Sequence, residues 1–358
     1  MGRHHTLAEQ TATVHWAAGY RSSRSTAGTE SSVSDLRALF GDDLRRYFAL
    51  AALSRSTTAP AQVVSDALAL VFRVRVALEQ SIAAALTDLA MREGIGALEL
   101  SREPLHGYSK KQGVSIRMPL FSCVPSKICG AACYAHDVLD AAPASVVRGA
   151  VNGAIAAWYE RGDGSQREEL LAALAQPVRR MVDAARKDAR TAAATFVRRP
   201  RIRFAHVGEF APFPGFANAL AKRVRDSSDG EVDCVVYTRH PDARLLDSEL
   251  FVVLFSLDES SEDRRRLVPA KARVARSAFG GRVTESVDVN FLEHHRWVHI
   301  KPVGTGKVCP ATAPDTKVRT CDACQCDFCF RPRQASRHAG DVGSGTERRH
   351  AATRGVPS

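Results

Sequence analysis

No stretch of this sequence stays apolar long enough to cross a membrane. The best candidate, ALALVFRVRVALEQSIAAALTDLAM (67–91), is interrupted by Arg73, Arg75 and Glu79, well short of the roughly 18 uncharged residues that a span requires. The opening MGRHHTLAEQTATVHW lacks a continuous apolar run, which predicts a chain that is not exported. Also missing are a Gly-x-Ser-x-Gly elbow and a Gly-x-Gly-x-x-Gly fingerprint, and VGTGK (303–307) lacks full phosphate-loop spacing. These absences weigh against a serine hydrolase, a dinucleotide enzyme and a P-loop nucleotidase. Cysteine is scarce as well: there are nine in 358 residues. That number is odd, which argues against a complete disulfide framework and predicts reduced thiols in a cytoplasmic protein.

The scarcity is uneven. Eight of the nine cysteines fall in two short clusters, and only Cys234, within the apolar run VDCVVYT, stands apart as an expected core residue. The first cluster is Cys123-x5-Cys129-x3-Cys133, followed by Tyr134. Three thiolates within eleven residues can hold three irons of a four-iron cluster and leave the fourth iron open to a ligand. Radical enzymes bind S-adenosylmethionine by that logic. Their usual loop is tighter, C-x3-C-x2-C, so the spacing here departs from it.

The second cluster is Cys309-x11-Cys321-x2-Cys324-x1-Cys326-x2-Cys329. A C-x2-C knuckle brings two sulfurs to one metal with little strain, and two knuckles plus a distant cysteine exceed a four-thiolate shell. Cys309, Cys321 and Cys324 are the favoured ligands, completed by Cys326 or Cys329. Four sulfurs suit zinc as well as iron–sulfur, so zinc stays open as the alternative metal.

The remaining pattern predicts an α/β protein. Residues 1–35 are rich in Ser, Thr, Ala and Gly and read as a disordered N-terminus. Residues 36–97 read as a helical segment in which nothing suggests chemistry. Its apolar residues recur at three and four (Leu36, Leu39, Phe40, Leu44, Tyr47), and a second helix runs from about Val63 to Met91. From 110 to 330, strand-like runs alternate with helical or polar pieces: GVSIRMPL, RIRFAHVGEF, VDCVVYTRH, LFVVLFSLDES, ARVARSAFGG and WVHIKPV. REELLAALAQPVRRMVDAARKDARTAAATFV reads as one helix. Such alternation implies parallel β/α units, here an incomplete barrel-like parallel sheet. Ligands bind at the carboxyl edge of such sheets. Strand ends therefore supply the candidates: Gly208 and Glu209 after one strand, Arg239 after the next, Asp258 after the third. Glu209, Arg239 and Asp258 are the candidate catalytic residues, and Tyr134 and Gly208 the candidate cofactor neighbours.

In order along the chain, CYA (133–135), GEF (208–210), YTR (237–239), SLD (256–258) and CP…TCDACQCDFCF (309–330) resemble an uncharacterised family of actinobacterial phages and mobile elements, the gene-product-88-type proteins. The resemblance spans about Val114 to Phe330. It implies a reduced relative of radical-S-adenosylmethionine barrels, with an iron–sulfur cluster and an unassigned substrate. Two departures stand out: Glu209 where that family tends to have Asp, and a closing run two residues longer. EHHRWVH offers His294, His295 and His299, but without the acid placement of a zinc-protease helix.

Net charge is +11, and residues 331–358 carry six Arg against Asp341 and Glu347. A basic disordered tail is expected there, with nucleic acid as its partner if it has one. The rival to the redox reading is accordingly a non-enzymatic zinc protein that binds nucleic acid.

Overall fold

The computed structural model describes residues 30–98, 105–109, 113–131, 133–136, 138–192, 199–278, 284–292, 304–305 and 308. Two long helices open it, α1 (Glu30–Leu53) and α2 (Ala61–Glu93). The α1 backbone begins ahead of Leu36, where the apolar periodicity starts. α2 follows Pro60 and stops at Gly94, whose φ of 86° takes the chain out of the helix while its amide still bonds Ala90 O at 2.9 Å. A β-hairpin comes next, β1 (His106–Ser109) and β2 (Gly113–Arg117). Two short helices, α3 (Lys127–Ala131) and α4 (Val138–Ala141), lead to α5 (Pro143–Arg161).

The segment that reads as one helix in the sequence is two, α6 (Gly164–Ala173) and α7 (Ala175–Ala192). Pro177 accounts for the break: it has no amide hydrogen, and its ring crowds the carbonyl four residues back, at Ala173. Beyond them lie β3 (Arg201–Val207), α8 (Pro214–Asp226), β4 (Asp233–Thr238), β5 (Phe251–Leu257), β6 (Arg273–Ala278) and β7 (Val289–Leu292). β7 is a strand that the sequence pattern does not announce. WVHIKPV, expected to be one, lies outside the described residues.

The seven strands form one sheet in sequence order, β1 to β7. Only β1 is antiparallel; β2 through β7 make a six-stranded parallel sheet. Each parallel strand lies beside its immediate predecessor, so the order never reverses as it does in doubly wound sheets. The mixed α/β architecture with a parallel sheet is thus as the alternation of runs predicts. Among the described residues, α8 is the only helix linking two successive parallel strands from β3 onward; shorter turns serve the other links.

Side-chain alternation splits the sheet into two faces. Ile202, Phe204, Cys234, Val236, Phe251, Val253 and Phe255 share one core with the helices. Phe204 meets Phe210 and Phe251 at ring-centroid distances of 5.0 Å. Each such fully buried side chain contributes about 1.5–3 kcal/mol. Tyr47, Val71, Leu78 and Ile82 belong to that same core, so α1 and α2 pack as part of the body of the fold. The opposite face carries a smaller cluster of strand residues alone, including Val235, Leu254, Ala275 and Val289. No described helix exceeds 18 residues with the apolarity needed to cross a membrane.

Candidate metal centre at the carboxyl edge of the sheet

β2 leaves the sheet through Met118 and Pro119 into a 3-10 turn, Leu120–Ser122, and Cys123 follows. Ser126 caps α3 by accepting from the Cys129 amide at 3.0 Å. Arg264, from beyond β5, donates to Val124 O and to Pro125 O, the latter at 3.3 Å. Cys133 lies past the end of α3, and Tyr134 starts the 3-10 turn that runs to His136. The three thiols are half-buried and form no disulfide. Cys123 and Cys133 pack with Leu120, Ala135 and Val207 and with Phe72 and Val76 of α2.

Charge links the three sulfurs. Burial pushes the Cys123 thiol well up from its ordinary value, and Glu209, Cys133 and Cys129 push it further. Burial also raises Cys133, to about 12; Cys129 adds to the rise, while Arg75 and Arg55 oppose it. The protein alone therefore keeps Cys123 and Cys133 as neutral thiols at pH 7. A bound cation would reverse that balance, because a coordinating thiol is deprotonated outright. Among the described residues no three His, Cys, Asp or Glu side chains converge tightly enough to hold a metal ion. What the loop offers is its donor type: Cys123, Cys129 and Cys133 are three thiols on one short stretch of chain, and thiolates are the ligands that iron–sulfur clusters take.

The strand ends that the sequence singles out meet at this edge. Glu209 follows β3 and is buried; its amide bonds Ser122 Oγ at 2.7 Å, next to Cys123. One carboxyl oxygen accepts the Arg239 amide at 3.3 Å, and the other is buried with no partner. Burial raises this carboxyl to about 7, against the pull of Thr238 and Arg239. Arg239 reaches Asp258 at 2.7 Å, Ser126 Oγ at 3.2 Å and Ser256 Oγ at 3.4 Å. Asp258 accepts from the Ser260 amide and hydroxyl, both at 2.9 Å, from the Ser261 hydroxyl at 3.1 Å, and from Ser126. With its oxygens taken up by these donors, Asp258 fixes Arg239 to the thiol loop. Glu209 is the acid with capacity to spare.

No protein-family model matches the chain. No curated protein and no solved structure is significantly similar to it either.

Gly208 has a backbone role. Its φ is 77°, and a Cβ there would lie 2.5 Å from Met118 C and O, so β3 ends hard against the exit of β2. Just upstream, between the pairs Ser115↔Arg203 and Arg117↔Val207, β3 advances four residues while β2 advances two. Ala205, at φ 62°, lies within this bulge. Bulges beside sites re-aim side chains. Here His206 turns onto Ile116 O at 3.2 Å and Arg117 at 3.1 Å.

Two residues unmarked in the sequence reading complete the centre. Arg75 and Glu79 of α2 are fully buried and pair at 2.8 Å. Arg75 also donates to Tyr47 Oη at 3.2 Å, Asp140 O at 3.0 Å and Ala135 O, while Glu79 accepts the Leu120 amide. Their signal was phase: both fall inside the stripe of Val71, Leu78 and Ile82, not on the solvent face. Cys309, Cys321, Cys324, Cys326, Cys329, the histidines of EHHRWVH and the basic tail lie outside the described residues.

His136, beside Tyr47 Oη at 3.3 Å, makes the acid limb of stability testable. Burial, with Arg75 and Arg55, lowers it from 6.5 to about 3. The folded chain refuses a proton that the unfolded chain accepts below 6.5, so stability falls as pH drops through that window. One such group contributes up to about 1.4 kcal/mol per pH unit. His206 and His240 are lowered too and steepen the same limb. Urea midpoints between pH 7 and 5 should fall, and His136→Gln should remove one proton's worth of the slope. An unchanged slope would refute the assignment.

Proposed function

We propose that this chain is a cysteine-ligated metalloprotein. Cys123, Cys129 and Cys133 would hold an iron–sulfur cluster at the carboxyl edge of the parallel sheet. What supports this is three thiols on one loop together with Glu209, whose amide bonds Ser122 next to Cys123 and whose second carboxyl oxygen is buried and unpartnered. Ligands of parallel sheets bind at this edge. When bound, a cluster of this kind supplies one-electron chemistry and an iron position open to a small ligand such as S-adenosylmethionine. The chain's own residues have separate tasks. Glu209 offers its spare oxygen to a proton or an amine, Arg239 and Asp258 brace the loop through Ser126, and Phe72 and Val76 cover part of Cys123 and Cys133. The resemblance to the phage and mobile-element family agrees with this, as does a reducing, cytoplasmic setting for thiols in place of disulfides. The C-terminal knuckles would hold a second metal.

Anaerobic purification of the full chain tests the reading. The expected product is brown, with broad visible absorption and with iron and acid-labile sulfide. Cys129→Ala should remove the iron of the first cluster and leave the metal of the C-terminal cysteines. A colourless protein with stoichiometric zinc would replace this reading with that of a zinc-stapled nucleic-acid-binding protein. Equal metal loading in parent and variant would reject the loop as a site.

A further inference from the structure

The thiol loop is gripped at both ends by the N-terminal helical segment. Upstream, the buried Glu79 carboxylate takes the amide of Leu120, shortly before Cys123. Downstream, four carbonyls between Cys133 and Asp140 are held by arginines. Arg55, two residues past the end of α1, donates from Nε to His136 O at 2.8 Å and from Nη2 to Cys133 O at 3.2 Å. Arg75 takes Ala135 O between them and Asp140 O beyond. Arg75 and Glu79 are bonded to each other on one helical turn, so the two anchor points of the loop are tied by a single rigid element. Phe72 and Val76, on the same helix, press on Cys123 and Cys133.

We infer that Arg55, Arg75 and Glu79 are positioning residues that set the spacing of Cys123 and Cys133, which makes the helical segment part of the metal centre. The inference rests on the proposed function only for what the loop holds; the grip itself is independent of it. A planar guanidinium suits the task, since its fork can take two carbonyls at fixed separation and a lysine cannot. Buried polar networks of this kind fix one arrangement of the groups they bond.

Arg55 is the residue to test, because its side chain is exposed and its loss spares the core. Alkylation by iodoacetamide of the full chain as purified, read cysteine by cysteine by peptide mass spectrometry, reports on the loop. Cys234, 1 % exposed in the core, reports on global unfolding. Arg55→Ala should raise the labelling rate of Cys133 roughly tenfold, as expected for the loss of two hydrogen bonds of ordinary net strength. Cys234 should not change, and the melting temperature should move by no more than about 3 °C. Arg55→Lys, which keeps the charge but loses the planar fork, should fall between.

The sign excludes a purely electrostatic role. Removing a cation near Cys133 disfavours the thiolate and would slow alkylation, whereas loosening the loop speeds it. A Cys133 rate that stays at or drops below the parent value overturns the inference, and so does a parallel rise at Cys234. Iron analysis of the same parent sample separates the two claims. An iron-free parent with a faster Cys133 in Arg55→Ala sinks the proposed function and keeps the grip. An iron-loaded parent with an unchanged Cys133 does the reverse.

Discussion

Glu79→Leu should lower the stability of the chain by about 3–5 kcal/mol, the usual consequence of stripping one partner from a fully buried ion pair. Arg75 would then sit uncompensated at the centre of α2, with 0 % of its side chain exposed. The Leu120 amide would lose its acceptor as well. Urea or thermal denaturation reads the effect, which should appear as a fall in melting temperature of roughly 10 °C. Arg75→Met should be comparably damaging, because it leaves Glu79 buried and drops the carbonyls of Ala135 and Asp140. The double variant should lose clearly less than the sum, since both charges then leave together. It should not return to the parent value, because those carbonyls stay unsatisfied. Strict additivity would mean that the two residues do not act as a pair.

Gly208→Ala is expected to be the second severe change. At φ 77° an alanine carries strain of about 1–3 kcal/mol. The added methyl would also collide with main-chain atoms of Met118 at 2.5 Å, and backbone cannot swing aside as a side-chain tip can. β2 must give way, and with it the Met118–Pro119 exit that leads to Cys123. A calibrating variant is at hand in Gly94→Ala. Gly94 has a similar φ of 86°, but a Cβ there meets nothing within 4 Å. Gly94→Ala should thus report the strain of a positive φ without any collision, and Gly208→Ala a positive φ together with one. Equal destabilisation of the two would show that the Met118 contact is unimportant.

Much of the frame was legible from residue types. Val, Ile and Phe marked β3 to β5, because strands buried on both sides need no strict alternation. Polar residues closing those runs pointed to Glu209, Arg239 and Asp258, and the sheet brings all three to one edge. Other features were opaque for definite reasons. VNFL is too short to announce β7. Pro177 breaks a pattern whose apolar spacing continues through it, as Leu170, Leu174 and Val178 are all buried. Arg75 and Glu79 read only as charges interrupting an apolar stretch, and it is the phase of α2 that places them inward. The contact of Ser126 with Asp258 spans 132 residues, a distance over which periodicity carries no information. Nor does spacing reveal that Asp258 spends its lone pairs on serines and an arginine.

The unbroken strand order has a consequence for how the chain is made. A polypeptide emerging from its N-terminus completes each pairing with the strand synthesised just before it, and no gap has to be held open for a later arrival. By the time Thr238 appears, both helices that grip the loop, all three sulfurs and Glu209 have already been delivered. The later strands then bring Arg239, Asp258 and Arg264, which close on the loop from its other side.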